Sequence, residues 1–326
     1  MVASTARATV DSFARRKGNR HVAILRLFAK GRSMRWADGF IAVDWGTTNR
    51  RAYAIDSRGE CVREFEDSKG ILSVGKGEFP AAVAEIRAAL GDGPLLLAGM
   101  VGSNRGWAEA PYVACPAGLD QLAGGIVWVE EDSGIVPGVS FVGDGRADVM
   151  RGEEVQMLGA VAGGLIPADC TVCHPGTHNK WIRVVGGRIH SFRTVMTGEL
   201  FNLLRKHSIL SDLLSREDES DEAFTAGVGH GLANEDLQAE LFSVRARVLL
   251  GQAAPEHASS YTSGLLIGGD VRIGLADASD GPVVIMGRPE LTRLYAAALN
   301  QAGHQAVELD GERTFLAGIR RLAELI

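Results

Sequence analysis

Phe40-Ile41-Ala42-Val43-Asp44-Trp45-Gly46-Thr47-Thr48-Asn49-Arg50-Arg51-Ala52-Tyr53-Ala54-Ile55-Asp56 reads as a buried strand, a turn of small residues and a second, alternating strand. Ser57-Arg58-Gly59 turns the chain again, and residues 60–65 make a third strand. The pattern returns later. Residues 171–174 form a strand, Pro175-Gly176-Thr177-His178-Asn179 a turn, residues 180–185 a strand, Gly186-Gly187 a turn, and residues 188–195 a strand. At a constant offset of 130 residues Gly46 falls on Gly176, Thr47 on Thr177, Asn49 on Asn179 and Arg50 on Lys180. Gly and Thr are common in turns, so the weight rests on the flanking strands, which match as well. A period this long points to duplicated domains rather than a solenoid.

Outward from the hairpins, apolar spacing predicts a helix over 80–90, and residues 94–100 a buried strand ending in a Gly-rich loop at 99–106. Further strands are expected at 125–129 and 139–142, then a helix from 148 to 163. Beyond the second hairpin, residues 199–260 are mostly helical with an acidic break at 215–222. Residues 264–267 are short and apolar. A strand at 282–286, a helix at 289–301, a strand at 306–309 and a helix at 313–326 complete the chain.

A chain of 326 residues is long enough for two domains with their own cores. No apolar run is long enough to span a bilayer. The net charge of −6 is uneven: residues 1–33 carry +7 and the rest −13. An acidic body argues against nucleic acid as the main partner. The basic segment 1–33 is expected to be a disordered extension. It has three readings: an upstream extension of a chain that starts at Met34, an Arg-rich targeting segment, or a basic arm. The first is favoured, because a complete strand–turn pattern begins just after Met34. The segment lacks the apolar core and cleavage site of a secretory signal, and a cytoplasmic location follows as the expectation. Cys61, Cys115, Cys170 and Cys173 form no disulfide framework in a chain this long. Cys170-Thr171-Val172-Cys173-His174 matches the haem-attachment pattern, which would require export. It reads better as the end of a buried strand. No second ligand pair lies at zinc spacing.

A Gly-Thr turn between strands offers backbone N–H groups and hydroxyls with little bulk, and successive N–H groups make an anion cradle. Two such turns across a cleft would hold a polyphosphate from both sides. Asp44, just before the first turn, would repel phosphate unless a metal intervenes, and Mg2+ is the expected ion. Lys180 and Arg50 are candidates to offset developing charge, each equally readable as a solvated strand residue.

Several blocks carry a resemblance: Val43-Asp44-Trp45-Gly46-Thr47-Thr48-Asn49, Gly99-Met100-Val101-Gly102-Ser103-Asn104, Asp148-Val149-Met150-Arg151-Gly152-Glu153-Glu154, His174-Pro175-Gly176-Thr177-His178-Asn179-Lys180-Trp181 and Met196-Thr197-Gly198-Glu199. The chain from about residue 37 onward resembles the 2-dehydro-3-deoxygalactonokinase family, within the superfamily of actin, hexokinase and heat-shock ATPases. The resemblance implies an α/β fold of two ribonuclease-H-like (actin-like ATPase) domains with an interdomain cleft. The domains would span 34–165, holding substrate and the first phosphate turn, and 166–326, holding the second turn and adenosine. It implies ATP-dependent phosphorylation of the 6-hydroxyl of 2-dehydro-3-deoxy-D-galactonate, with Mg2+. One departure stands out: His174 occupies the place where the superfamily usually has a second carboxylate.

On this reading Asp44 is the metal residue. Gly46, Thr47, Thr48, Asn49, Gly176, Thr177, His178 and Lys180 handle phosphate, and the Gly turns at Gly268 and Gly287 receive the purine. The base is one of two carboxylates. Asp148 would open the helix as its N-cap, and Glu153 lies nearer the register of related kinases; Asp148 is slightly favoured. Replacing the true base by its amide would remove turnover and leave ATP binding. Arg105 would clamp the substrate carboxylate, as Arg has the bidentate fork, with Arg151 a second candidate. Ser103 and Asn104 would bind hydroxyls, and Trp107 and Tyr112 would wall the chain of the sugar acid. The alternatives are a kinase of another sugar acid or a polyphosphate hydrolase of the same superfamily, and a non-catalytic ATP-binding regulator. The sequence does not fix the C4 epimer, and a homodimer is a guess.

Overall fold

The structure is a computed structural model that describes residue 36, residues 38–215 and residues 221–326. The basic segment 1–33 lies outside the described residues.

The first hairpin forms as its pattern dictates. β1 (Gly39–Trp45) pairs antiparallel with β2 (Arg50–Asp56), and β2 with β3 (Cys61–Asp67). On its other side β1 pairs in parallel with β4 (Leu95–Gly99), whose five residues are all buried. With β6 (Val127–Glu130) and β7 (Ser133–Ile135) they make a six-stranded sheet in the order β3-β2-β1-β4-β7-β6. One face is covered by α1 (Phe79–Leu90). It turns Phe79, Ala82, Val83, Ile86 and Leu90 inward at helical spacing, against Val43, Trp45, Leu95 and Leu97.

The second hairpin repeats the first. β10 (Cys170–His174), β11 (Asn179–Val185) and β12 (Arg188–Val195) are antiparallel, and β10 pairs in parallel with β13 (Val283–Gly287), which pairs with β14 (Ala306–Asp310). The order β12-β11-β10-β13-β14 mirrors β3-β2-β1-β4-β7. The sequence repeat is thus a repeat of strand order. It is not exact in register: Asp44 pairs with Arg51, so the offset of 130 would set His174 against Trp181, but the observed partner is Lys180. Cys170 and Cys173 are buried within β10, which accounts for the haem-like letters as strand.

Two expectations on elements are corrected. The helix expected over 148–163 is a strand followed by a helix: β9 (Arg146–Met150) and α3 (Glu153–Ala162). β9 closes a small sheet with β5 (Val113–Ala114) and β8 (Val139–Gly143), while α2 (Leu119–Gly124) precedes β6. The break falls at Gly152, whose φ of 112° suits only glycine. The stretch 264–269 does not form the Gly turn expected at Gly268. It lies in α7 (Ala258–Leu275), an 18-residue helix. Its glycines permit contact with α5 (Glu222–Ala233): a Cβ on Gly264 would stand 2.2 Å from the Phe224 carbonyl oxygen, and one on Gly268 2.4 Å from that of Val228. Gly227 and Gly231 return the contact from α5.

The remaining helices are α4 (Thr197–His207), α6 (Leu237–Leu249), α8 (Pro289–Gln301) and α9 (Gly311–Leu325). α3 and α9 pack closely, since a Cβ on Gly159 would lie 2.1 Å from Thr314 O and one on Gly318 2.1 Å from Val155 O. Around them a single apolar cluster joins both sheets, from Tyr53 and Leu96 to Val172, Ile182 and Phe315. Among the described residues no helix is long and apolar enough to cross a membrane.

Candidate active site

The two hairpin turns face one cleft of about 500 Å³. Asp44, Gly46, Thr48 and Asn49 line it from the first turn, and Pro175, Gly176 and Thr177 from the second. Gly287, at the C-terminal end of β13, lies on the same cleft with Arg288. A Cβ on Gly176 would meet no atom within 4 Å, so its Cα borders open cleft space. Where Gly46 sits, its N–H donates to Asn49 O (2.9 Å) and closes the turn. The second turn is braced by α4, as Glu199 N donates to Thr177 O (2.9 Å) and the His178 ring pairs with the Glu199 carboxylate.

Next to Asp44 and His174, which line the cleft, the start of α3 brings charge together. Glu153 Oε1 is 3.6 Å from the Lys180 ammonium, and its Oε2 accepts from Arg151 N (3.2 Å). Lys180 is buried and also donates to His178 O (3.3 Å). Burial pushes the Asp44 carboxyl up to about 6; Arg51 opposes this and the charge of Glu153 adds to it. His174, bonded to Gln156 (2.9 Å), is held below its ordinary value by burial and by Lys180, against the pull of Glu153. Asp44, Glu153, Lys180 and His174 therefore share one field. The neighbouring Glu154 is fully buried. Burial, with Glu153 next, pushes it up to about 8; its Oε2 accepts from Gly152 N (2.7 Å) and its Oε1 has no hydrogen-bond partner among the described residues.

Other expected site residues lie elsewhere. Asp148 is not an N-cap: it sits in β9, where its Oδ1 accepts from Thr194 Oγ1 (2.7 Å) and its Oδ2 from Thr194 N (2.6 Å), and it does not line the cleft. Gly268 is inside the α5–α7 contact and cannot present a turn to a purine. Arg50 is wholly buried and bonded to Asp67, Glu85 and the Ala82 carbonyl, so it does not reach phosphate. Thr47 and His178 lie on the turns outside the cleft lining, and the His178 side chain is half exposed. The loop after β4 keeps Ser103 buried, with Asn104 and Arg105 exposed. Trp107 packs on the first sheet's core, and the Tyr112 ring lies 4.4 Å from the buried Arg151 guanidinium. None of these five residues lines the cleft.

Sequence reasoning missed Arg51, Gln156, Arg288 and Glu312, which line it too. Gln156 had a usable signal, one helical turn after Glu153 on the same face. Arg288 directly follows a glycine already singled out. Glu312 gave none, for only the fold brings α9 to the turns.

Two repeated hairpin turns on one cleft, with Asp44 in its lining and the Glu153–Lys180 pair next to it, fit a carbohydrate kinase, a phosphotransferase with an alcohol acceptor. The family model described as 2-keto-3-deoxy-galactonokinase matches residues 44–322, and the chain belongs to that family. It is 38% identical over 292 residues to the 2-dehydro-3-deoxygalactonokinase of Escherichia coli (strain K12), covering 88% of this chain and 98% of that one. It is 36% identical over 305 residues to DgoK1 of Rhizobium meliloti (strain 1021), provisionally given the same name, covering 90% and 99%. A crystal structure of a Sinorhizobium meliloti protein, also provisionally named for this activity, superposes with a TM-score of 0.82 at 35% identity, over 87% of this chain and 98% of that one.

Proposed function

We propose that the chain transfers the γ-phosphoryl group of ATP to the 6-hydroxyl of 2-dehydro-3-deoxy-D-galactonate. The observation that carries the reading is Asp44 in the lining of a cleft bordered by the two hairpin turns, with Glu153, paired to Lys180, close enough for its charge to act on Asp44. Family membership supports the substrate. The hydroxyl oxygen attacks the γ-phosphorus as the bond to the β-bridging oxygen breaks, ADP leaves, and the hydroxyl proton passes to Glu153. Glu153 is preferred to Asp148 because its carboxylate faces Lys180, whereas both oxygens of Asp148 are taken up by Thr194. Lys180 offsets charge on the transferring group. Backbone N–H groups of 46–49 and 175–178 orient the phosphates, and Gly287 lets adenosine lie against backbone.

The donor set suits Mg2+. Among the described residues no group of three or more His, Cys, Asp or Glu gathers as a metal cage, and Mg2+ characteristically takes one or two carboxylates and fills its shell with phosphate and water. Asp44 would hold it. The ion, when bound, screens phosphate charge. Ser103, Asn104, Arg105, Trp107 and Tyr112 remain our candidates for the sugar acid, reached when domains 34–165 and 166–326 close and expel water. Such an enzyme works in the cytoplasm, where ATP is supplied.

The test is ADP release from Mg-ATP with and without the galactonate acid, beside its gluconate epimer. Strong stimulation by the galactonate acid supports the reading. No stimulation by either, from folded protein that binds ATP, leaves a kinase but removes the substrate.

A further inference from the structure

Asp270 is a buried carboxylate far along the chain from both turns. On α7, it is 1% exposed, and four side chains from three elements donate to it. Trp181 Nε1 reaches Oδ1 at 2.7 Å and Asn179 Nδ2 reaches Oδ2 at 2.9 Å, both from β11. Thr197 Oγ1, at the start of α4, and Tyr295 OH, on α8, also donate to Oδ2. All the donors are neutral. Burial raises the Asp270 carboxyl and these hydrogen bonds oppose the rise. The arrangement has a direction. Asn179 ends the second phosphate turn. Thr197 precedes Gly198, where a Cβ would stand 2.6 Å from Gly176 O, and Glu199 N holds Thr177 O. One carboxylate therefore grips both the turn and the helix end braced against it.

We infer that Asp270 is a positioning residue for the second phosphate turn, acting through Asn179 and Thr197. This rests on the reading that residues 175–178 hold ATP phosphates. An ordinary core anchor would affect folding alone. A positioning residue sets the affinity for ATP, because a displaced turn misplaces the cradle.

The experiment measures KM for ATP and for the sugar acid, kcat and Tm in four variants. Asp270→Asn faces a donor with a donor; we expect KM for ATP to rise about tenfold or more, with KM for the sugar acid unchanged. Thr197→Val, which removes one donor and keeps the carboxylate, is the milder variant should Asp270→Asn fold poorly, and raises KM for ATP in the same sense. Tyr295→Phe removes the donor that comes from α8 and not from the turn; it lowers Tm and leaves KM for ATP unchanged. Gly176→Val fills the cleft face of the turn and raises KM for ATP if that turn binds phosphate. If Gly176→Val weakens ATP while Asp270→Asn and Thr197→Val lower only Tm, the positioning role is overturned. If Gly176→Val leaves KM for ATP unchanged, the phosphate reading itself falls.

Discussion

At the scale of single residues, the two carboxylates considered for the base do different work because their surroundings differ. Glu153 faces an ammonium and Asp148 is locked by Thr194. Glu153→Gln should lower kcat by about 10²-fold or more while KM for ATP holds. Asp148→Asn should keep kcat near wild type and cost about 1–3 kcal/mol through its lost hydrogen bonds; steady-state kinetics and urea melts separate the two. Asp44, raised to about 6 when folded against an ordinary 3.8, contributes most below pH 4 and loses that contribution as pH rises through 6. At neutral pH its buried charge costs the ligand-free protein about 3 kcal/mol. Asp44→Asn should therefore raise the ligand-free Tm at pH 7.5 and abolish turnover. An unchanged or lower Tm would contradict the burial argument.

At the scale of elements, hairpins and glycines divide what the sequence reveals from what it hides. The βββ units were legible because period-two alternation and Gly turns are local signals. Residues 264–269 were not: a Gly-rich apolar stretch serves a turn or a helix crossing equally well, and Gly227 and Gly231 on the partner helix decide between them. The start of α3 was misplaced for a similar reason. Asp148 fits a cap by type, but pairing with Phe141 in β8 makes it a strand residue, and Thr194, 46 residues on, takes up its carboxylate. Asp270 escaped notice because its partners come from residues 179, 181, 197 and 295. The helix crossing has a test. A methyl on Gly268 would meet backbone that cannot give way, so Gly268→Ala should cost about 1–3 kcal/mol and leave KM for ATP unaltered. A purine-binding turn would instead show a raised KM and little loss of stability.

For the whole molecule, the two sheets share the cluster that packs around α3 and α9, and α3 carries Glu153 at its first residue. A movement of one half against the other must therefore carry Glu153, the proposed base, with it. On the proposed closure, ATP and the sugar acid together should reduce the radius of gyration in solution scattering, more than either alone.

Transfer to a hydroxyl of the acid is read by phosphorus NMR of a completed reaction with Mg-ATP and 2-dehydro-3-deoxy-D-galactonate. The expected products are ADP and one equivalent of a phosphomonoester coupled to the protons on C6. ADP with free phosphate alone would make the protein a hydrolase and contradict the transfer.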